Sequence, residues 1–222
     1  MKQTVNHSLW AKKLSVYILG IVAMAFGVSL AIQAGIGVAP GNVISYAVSK
    51  LTVLSVGWCT TLFHVACILA QLAIIKRFTI GLAAQFPQAF ILGRLIDFFL
   101  WLFSISPPNL VYSIVLICIG ILVFSFGIRA MLGANLIFLP SDGLGLAAGE
   151  KLGWKYPKVK LAQDIIYTAT AAALMLIFSG DVFSVVGIGT VLSAVATGPA
   201  VGLFTRLLPF LDIQPKSAAE NV

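Results

Sequence analysis

The stretch GIVAMAFGVSLAIQAGIGVAP at residues 20–40 returns, 100 positions later, as GILVFSFGIRAMLGANLIFLP at residues 120–140. Gly20 falls on Gly120, Ile21 on Ile121, Phe26 on Phe126, Gly27 on Gly127, Ala34 on Ala134 and Pro40 on Pro140, and Ala47 then falls on Ala147. These are seven identities in 28 positions without a gap, and three of them are glycine or proline, residues whose backbone freedom or rigidity shapes a helix. Asn42 aligns with Asp142, Ile44 with Leu144 and His64 with Asp164. With an offset of 105 the correspondence continues, Gln85 with Thr190, Gln88 with Ser193 and Gly93 with Gly198. The chain therefore reads as one domain, residues 1–222, built from two copies of a unit at 13–104 and 110–210.

Composition sets the solvent of that unit. The chain is 60% apolar and only 9% charged, with a mean hydropathy of +1.05, whereas a soluble domain carries about 25% charged residues. So few charges cannot cover a water-soluble surface, which makes this an integral membrane protein. Apolar segments lie near 14–33, 57–75, 78–103, 110–132, 160–179 and 182–209, each close to the roughly 20 residues that a membrane helix needs. They run continuously apolar, unlike the alternating strands of a barrel. The first is too long for the apolar core of a signal peptide and no small-residue cleavage site follows it, so it reads as a retained helix.

The basic residues orient the chain. Lys2, Lys12, Lys13, Lys76, Arg77, Lys151, Lys155, Lys158, Lys160, Arg206 and Lys216 fall on one side of a six-span arrangement, Lys50 on the other, and Arg94 and Arg129 within spans. The positive-inside rule then puts both termini in the cytoplasm. The net charge of +7 is accounted for in this way and is no sign of a nucleic-acid partner. Two stretches remain too short or too polar to span, Pro40–Val56 and Pro140–Trp154. Each reads as a short re-entrant or interfacial helix opened by proline, a position proline tolerates well. Three spans per unit is an odd number, so the second unit enters the membrane upside down. The expected fold is all-α, six transmembrane helices in two inverted three-helix repeats, each with a short helix after its first span. Inverted repeats with broken helices mark many secondary transporters; the plain alternative is a duplicated scaffold whose symmetry is only inherited.

Ionisable groups inside spans cost about 2.5–3.5 kcal/mol each on insertion scales, so each needs a partner or a task. Arg129, Asp142, Lys160 and Asp164 gather toward the cytoplasmic half; Lys160 and Asp164 are four apart on one helix face, and Arg129 lies near Asp142. Two neutralised pairs pinning the short helix are one reading, and proton exchange or cation binding at Asp142 or Asp164 is the other. In the outer half Arg94 and Asp97 are spaced to pair, and His64 sits at mirror depth to Asp164. His64 is either hydrogen-bonded packing or a relay titrating near physiological pH. Gln85 and Gln88 face Thr190 and Ser193 across the repeat as two polar stripes, with Asn42 and Asp142 at the proline-led turns. Together these six residues would line a cavity for a small neutral or zwitterionic solute, or else simply hydrogen-bond helix to helix. Cys59, Cys67 and Cys118 have no metal-ligand spacing and read as buried packing residues. There is no nucleophile–base constellation, so neither an enzyme nor a cofactor or metal site is expected.

In the second half, Gly133, the Pro140–Asp142–Gly143 group, Lys160, Asp164, Gly187-Ile188-Gly189-Thr190 and Gly198-Pro199 resemble the YczE/YyaS/YitT family of bacterial membrane proteins. Gly27, Gly37, Pro40, Gly57, Gly93 and Asp97 follow the same pattern in the first half, and the resemblance covers about residues 15–210. It departs at Pro40-Gly41-Asn42, where the family often has an acid, and at Ala84-Gln85 and Gln88, where amides replace a Gly-Thr and a later Asn. The resemblance implies the fold and a bacterial inner (cytoplasmic) membrane, and says little of the substrate. The expected function is a secondary transporter or permease-like carrier. Its rivals are a membrane scaffold or regulator, and the substrate-capture subunit of an energy-coupled importer. Either rival would use the basic loop at 150–160 to dock a protein partner.

Overall fold

The computed structural model describes residues 7–213; Lys2 and Lys216 of the charge count lie outside them. Among the described residues there are eight α-helices, two 3-10 turns and no strand: α1 (His7–Gln33), α2 (Pro40–Leu51), α3 (Val56–Ile75), α4 (Ile80–Leu102), α5 (Leu110–Ala134), α6 (Pro140–Leu152), α7 (Tyr156–Phe178) and α8 (Ile188–Leu207). Their ends follow local chemistry. The side chains of Ser55, Thr79 and Asn109 accept the backbone N–H of Trp58, Leu82 and Tyr112 at 3.2, 3.2 and 3.1 Å, capping α3, α4 and α5, which satisfies donors that a helix start leaves open. α2 and α6 each begin with the expected proline in the first turn. Lys76, Asn135 and Gly153 close α3, α5 and α6 in the left-handed conformation.

Five helical segments are long and apolar enough to cross a membrane: Ser8–Gln33, Val56–Ile75, Leu110–Ala134, Tyr156–Phe178 and Val182–Leu207. α4 matches them in length at 23 residues, but Gln85, Gln88, Arg94 and Asp97 lower its hydropathy. α1 begins at His7, two turns before the expected 14–33 span, so Lys12 and Lys13 ride on the helix instead of preceding it. α7 likewise starts at Tyr156, not near residue 160, because Pro157 suits a first turn.

The spine is the crossing of α1 and α5, which run antiparallel. A Cβ on Gly127 would lie 2.7 Å from the carbonyl oxygen of Gly20, and one on Gly120 would lie 2.9 Å from that of Gly27. The glycines that matched by sequence thus interlock crosswise, each admitting the opposite backbone. Around this spine α4 packs on α1 and α8 on α5, while α2 packs on α7 and α3 on α6. Aromatic contacts repeat too: Phe26–Phe99 ring centroids are 5.1 Å apart and Phe126–Phe204 centroids 5.9 Å apart. One pairing is not repeated. α3 packs along α4, whereas α7 and α8 scarcely touch.

Candidate functional site

The first turn of α6 is gripped by amides from two long helices. Gln71 on α3 donates through Nε2 to the Pro140 carbonyl at 2.9 Å and to Gln85 Oε1 on α4 at 2.9 Å, and Gln85 Nε2 donates back to Gln71 Oε1 at 3.3 Å. From the other side Gln163 on α7 donates to the Ser141 carbonyl at 3.1 Å and to the Tyr167 hydroxyl at 3.0 Å. All three glutamines are buried, where an unmet amide would be costly. Glycine keeps the contact beneath them close: a Cβ on Gly143 would stand 2.5 Å from Gln71 Oε1, and one on Gly145 would come closer still to Gln163 Oε1, so either would push a flexible amide end aside.

Directly beyond this grip lies an ionisable cluster. Asp142, half-buried, is hydrogen-bonded to Tyr156 and lies within the field of Lys160 and Asp164. Burial pushes its carboxyl above the usual carboxylate range, against the opposing pull of the Lys160 ammonium and the Tyr156 hydroxyl. Lys160 Nζ donates to Asp164 Oδ1 at 2.9 Å, which is the spacing-derived pair. The expected Arg129–Asp142 pair is not formed. Arg129 instead contacts Asp212 Oδ1 at 3.0 Å and donates to the Leu208 carbonyl at 3.1 Å. Its side chain, buried at the end of α5, tethers the 3-10 turn Pro209–Leu211.

The corresponding place at α2 carries Asn42. A small recess there is lined by Val28, Ala31, Val38, Ala39, Asn42, Ser193 and Thr197, among others. A second recess, of about 20 Å³, is lined in part by Ile128, Met131, Phe138, Leu139 and Asp142. The first five residues of the former are each 100 positions before the five of the latter. Asn42 and Ser193 are therefore brought together, and Asp142 occupies the equivalent recess, which no residue of α4, the counterpart of α8, lines.

The remaining candidates divide by surroundings. Asp97 accepts from the Gly57 N–H at 2.7 Å and the Ser55 hydroxyl at 2.6 Å, and pairs with Arg94 at 3.0 Å. The carboxylate thus sits on the N-terminus of α3, where a helix favours negative charge, and Arg94 lies over the Trp58 ring at 4.3 Å. Thr190 is engaged at the start of α8, where its hydroxyl accepts the Gly187 N–H at 3.3 Å. Among the described residues Gln88 reaches only Met131 Sδ, at 4.0 Å. Among the described residues, Gln88 Oε1, His64 Nδ1 and Ser193 Oγ are buried without a hydrogen-bond partner. Cys59 and Cys67 are buried as expected, but Cys118 is exposed, because it lies on the face of α5 turned away from α1. The described residues contain no group of three or more His, Cys, Asp or Glu able to hold a metal ion.

Sequence reading missed Gln71, Gln163, Tyr156 and Asp212. Gln71 aligns with Ala171 and Gln163 with Phe63, so a search guided by the repeat passes over both. The signal that finds them is the cost argument itself, applied to amides inside apolar segments and not to charges alone.

A bundle of apolar helices held by buried amides and paired ions defines a helical membrane protein. The chain matches DUF6198, a family of unknown function, over residues 11–206 and belongs to that family. It is 26% identical over 191 residues to "Uncharacterized membrane protein YczE" of Bacillus subtilis, covering 82% of this chain and 80% of the relative. It is 29% identical over 196 residues to "Uncharacterized protein YyaS" of the same organism, covering 86% and 92%. An "Uncharacterized protein" of Haemophilus influenzae is 27% identical over 213 residues, covering 94% and 91%. No solved structure matches.

Proposed function

We propose that this protein is a multi-pass carrier of the bacterial cytoplasmic membrane, with six spans in two inverted repeats, moving a small neutral or zwitterionic solute. The observation that carries the reading is the exchange of packing between halves: each proline-led short helix sits against a long helix of the other half, α2 on α7 and α3 on α6. Short helices held near a repeat interface are where such carriers place substrate and coupling ions. The antiparallel glycine crossing of α1 and α5 supports the inversion, and the paired recesses at Asn42 and Asp142 support two related sites. Asn42 and Ser193 contribute neutral hydrogen-bonding groups, and Asp142, beside Tyr156, Lys160 and Asp164, contributes the exchangeable charge.

The test is uptake of a panel of small zwitterionic and neutral solutes into vesicles containing the purified protein. Asp142→Asn and Asp164→Asn abolish uptake, while Lys151→Ala, on an exposed last turn of α6, does not. Full uptake by both aspartate variants removes the acid-centred mechanism. Absence of protein-dependent uptake across the panel, with a stable co-purifying protein, favours the scaffold or capture-subunit role instead.

A further inference from the structure

The two halves of this chain are alike in sequence yet differ in one packing relation, and the difference is localised. On α4 the stripe Ala89, Gly93 and Asp97 is covered or half-covered by α3. Gly93 meets the Gly57 carbonyl so closely that a Cβ could not be added. Thr61 Oγ1, which donates to the Gly57 carbonyl at 2.9 Å, also lies 3.3 Å from the Ala89 carbonyl. The offset of 105, which also relates Phe99 to Phe204, carries this stripe onto Ala194, Gly198 and Gly202 of α8. All three are exposed, and a Cβ on Gly198 or Gly202 would meet nothing within 4 Å. The α7 residue that corresponds to Thr61 on the α4-facing side of α3 is left uncovered as well: Leu161 is 63% exposed. α7 and α8 are joined only by the short connection at 179–187 and part from there.

Resting on the inverted-repeat carrier reading above, we propose that the bundle alternates between this arrangement and one in which the halves exchange roles. In the second arrangement α7 closes onto the Ala194–Gly198–Gly202 stripe of α8, and α3 leaves the Ala89–Gly93–Asp97 stripe of α4. A helix that fits a small-residue groove in one repeat identifies the occupant of the equivalent empty groove in the other, and close approach of backbones is what such grooves permit. Because α3 and α4 are joined at residues 76–79 and α7 and α8 at 179–187, the two closures act at opposite ends of the bundle. One end therefore opens as the other shuts, which is the movement a carrier requires.

The two closures are not equally latched. Where Asp97 ties α4 to Ser55 and Gly57, the corresponding position on α8 is Gly202, and the counterpart of Gly57 is Pro157. The α3–α4 end has a charged latch and the α7–α8 end only a groove, so the present arrangement is the resting one. Weakening the latch shifts the population toward the other.

The experiment is thiol cross-linking in native membranes, in a background lacking Cys59, Cys67 and Cys118. Leu161→Cys with Gly198→Cys reports closure of α7 on α8, and Leu161→Cys with Ala194→Cys is a second reporter; all three positions are exposed. Cross-linking of either pair is expected. It rises about tenfold with Asp97→Asn, the weight of roughly one charge-assisted hydrogen bond. It falls to background when α3 is first tied to α4 through Trp58→Cys and Phe90→Cys with a short bismaleimide. If neither pair cross-links in protein whose 58–90 pair does, or if cross-linking ignores the 58–90 tie, the exchange is refuted. The inversion itself is read separately, from the membrane face at which cysteines at Val53 and Leu152 are labelled. Opposite faces with failed cross-linking removes the exchange and leaves the inverted repeats standing.

Discussion

Gln71 has the most consequential side chain in the bundle. It meets a carbonyl of α6 and the amide of α4 from a position on α3, so three helices converge on one carboxamide. Replacing it with alanine strands the Gln85 carboxamide in a buried site and costs about 1–3 kcal/mol. The expected outcome is a lower thermal midpoint in detergent, with Gln71→Glu failing to restore it, since a carboxyl has at most one O–H and cannot donate to both Pro140 and Gln85 as the amide does. Arg129 is the second residue whose role came from its surroundings. Spacing along the chain pointed to Asp142, but residues 208–213 return beneath the end of α5 and bring Asp212 to it. Arg129→Gln releases that tether, and limited proteolysis in membranes is expected to cut near Leu208 at a clearly higher rate than in the parent protein. An unchanged rate would mean that the Ile213 N–H bond to the Gly133 carbonyl, at 3.2 Å, holds the turn unaided.

For whole helices, glycine is informative where it admits another backbone and uninformative elsewhere. Gly27 and Gly127 lie in the α1–α5 crossing, where an added Cβ would meet backbone atoms at 2.6 and 2.7 Å. Main chain cannot step aside as a flexible side chain can, so Gly27→Ala or Gly127→Ala forces the helices apart, at a cost of about 1–3 kcal/mol. Gly202→Ala meets open space and should leave the unfolding midpoint unchanged or slightly raised, by the ordinary preference of about 0.5–1 kcal/mol for alanine in a helix. Comparing the three midpoints by thermal unfolding in detergent checks the crossing directly; equal midpoints would contradict it. Helix ends were legible in advance at Pro40 and Pro140, because proline's missing N–H suits a first turn. The start of α7 is not legible in this way, since Lys158 and Lys160 carry the charges of a loop yet lie on the helix that begins at Tyr156.

For the molecule as a whole, the proposed inversion predicts where water reaches. Val53, fully exposed beyond α2, and Leu152, exposed at the end of α6, should be labelled as single cysteines from opposite membrane faces by an impermeant maleimide. Labelling from one face would mean that the repeats insert in parallel. The amino-acid sequence by itself determined the helical class, the membrane as solvent, the glycine and proline correspondences at an offset of 100, and the proline-led short helices. Each of these depends on composition or on neighbours along the chain, where hydropathy, missing N–H groups and repeated glycines act locally. Tertiary structure alone decided that the matched glycines interlock crosswise, that Gln71 and Gln163 hold α6, that Arg129 belongs to Asp212, and that α3 covers α4 while α7 leaves α8 bare. Those outcomes depend on which helices meet across 22 or more residues of chain, as Gln163 meets Ser141 and Gly57 meets Asp97. Where Gly20, Gly27 and Pro40 recur as Gly120, Gly127 and Pro140, the local preference is the same twice and cannot choose between the two places; only the packed whole assigns each its arrangement.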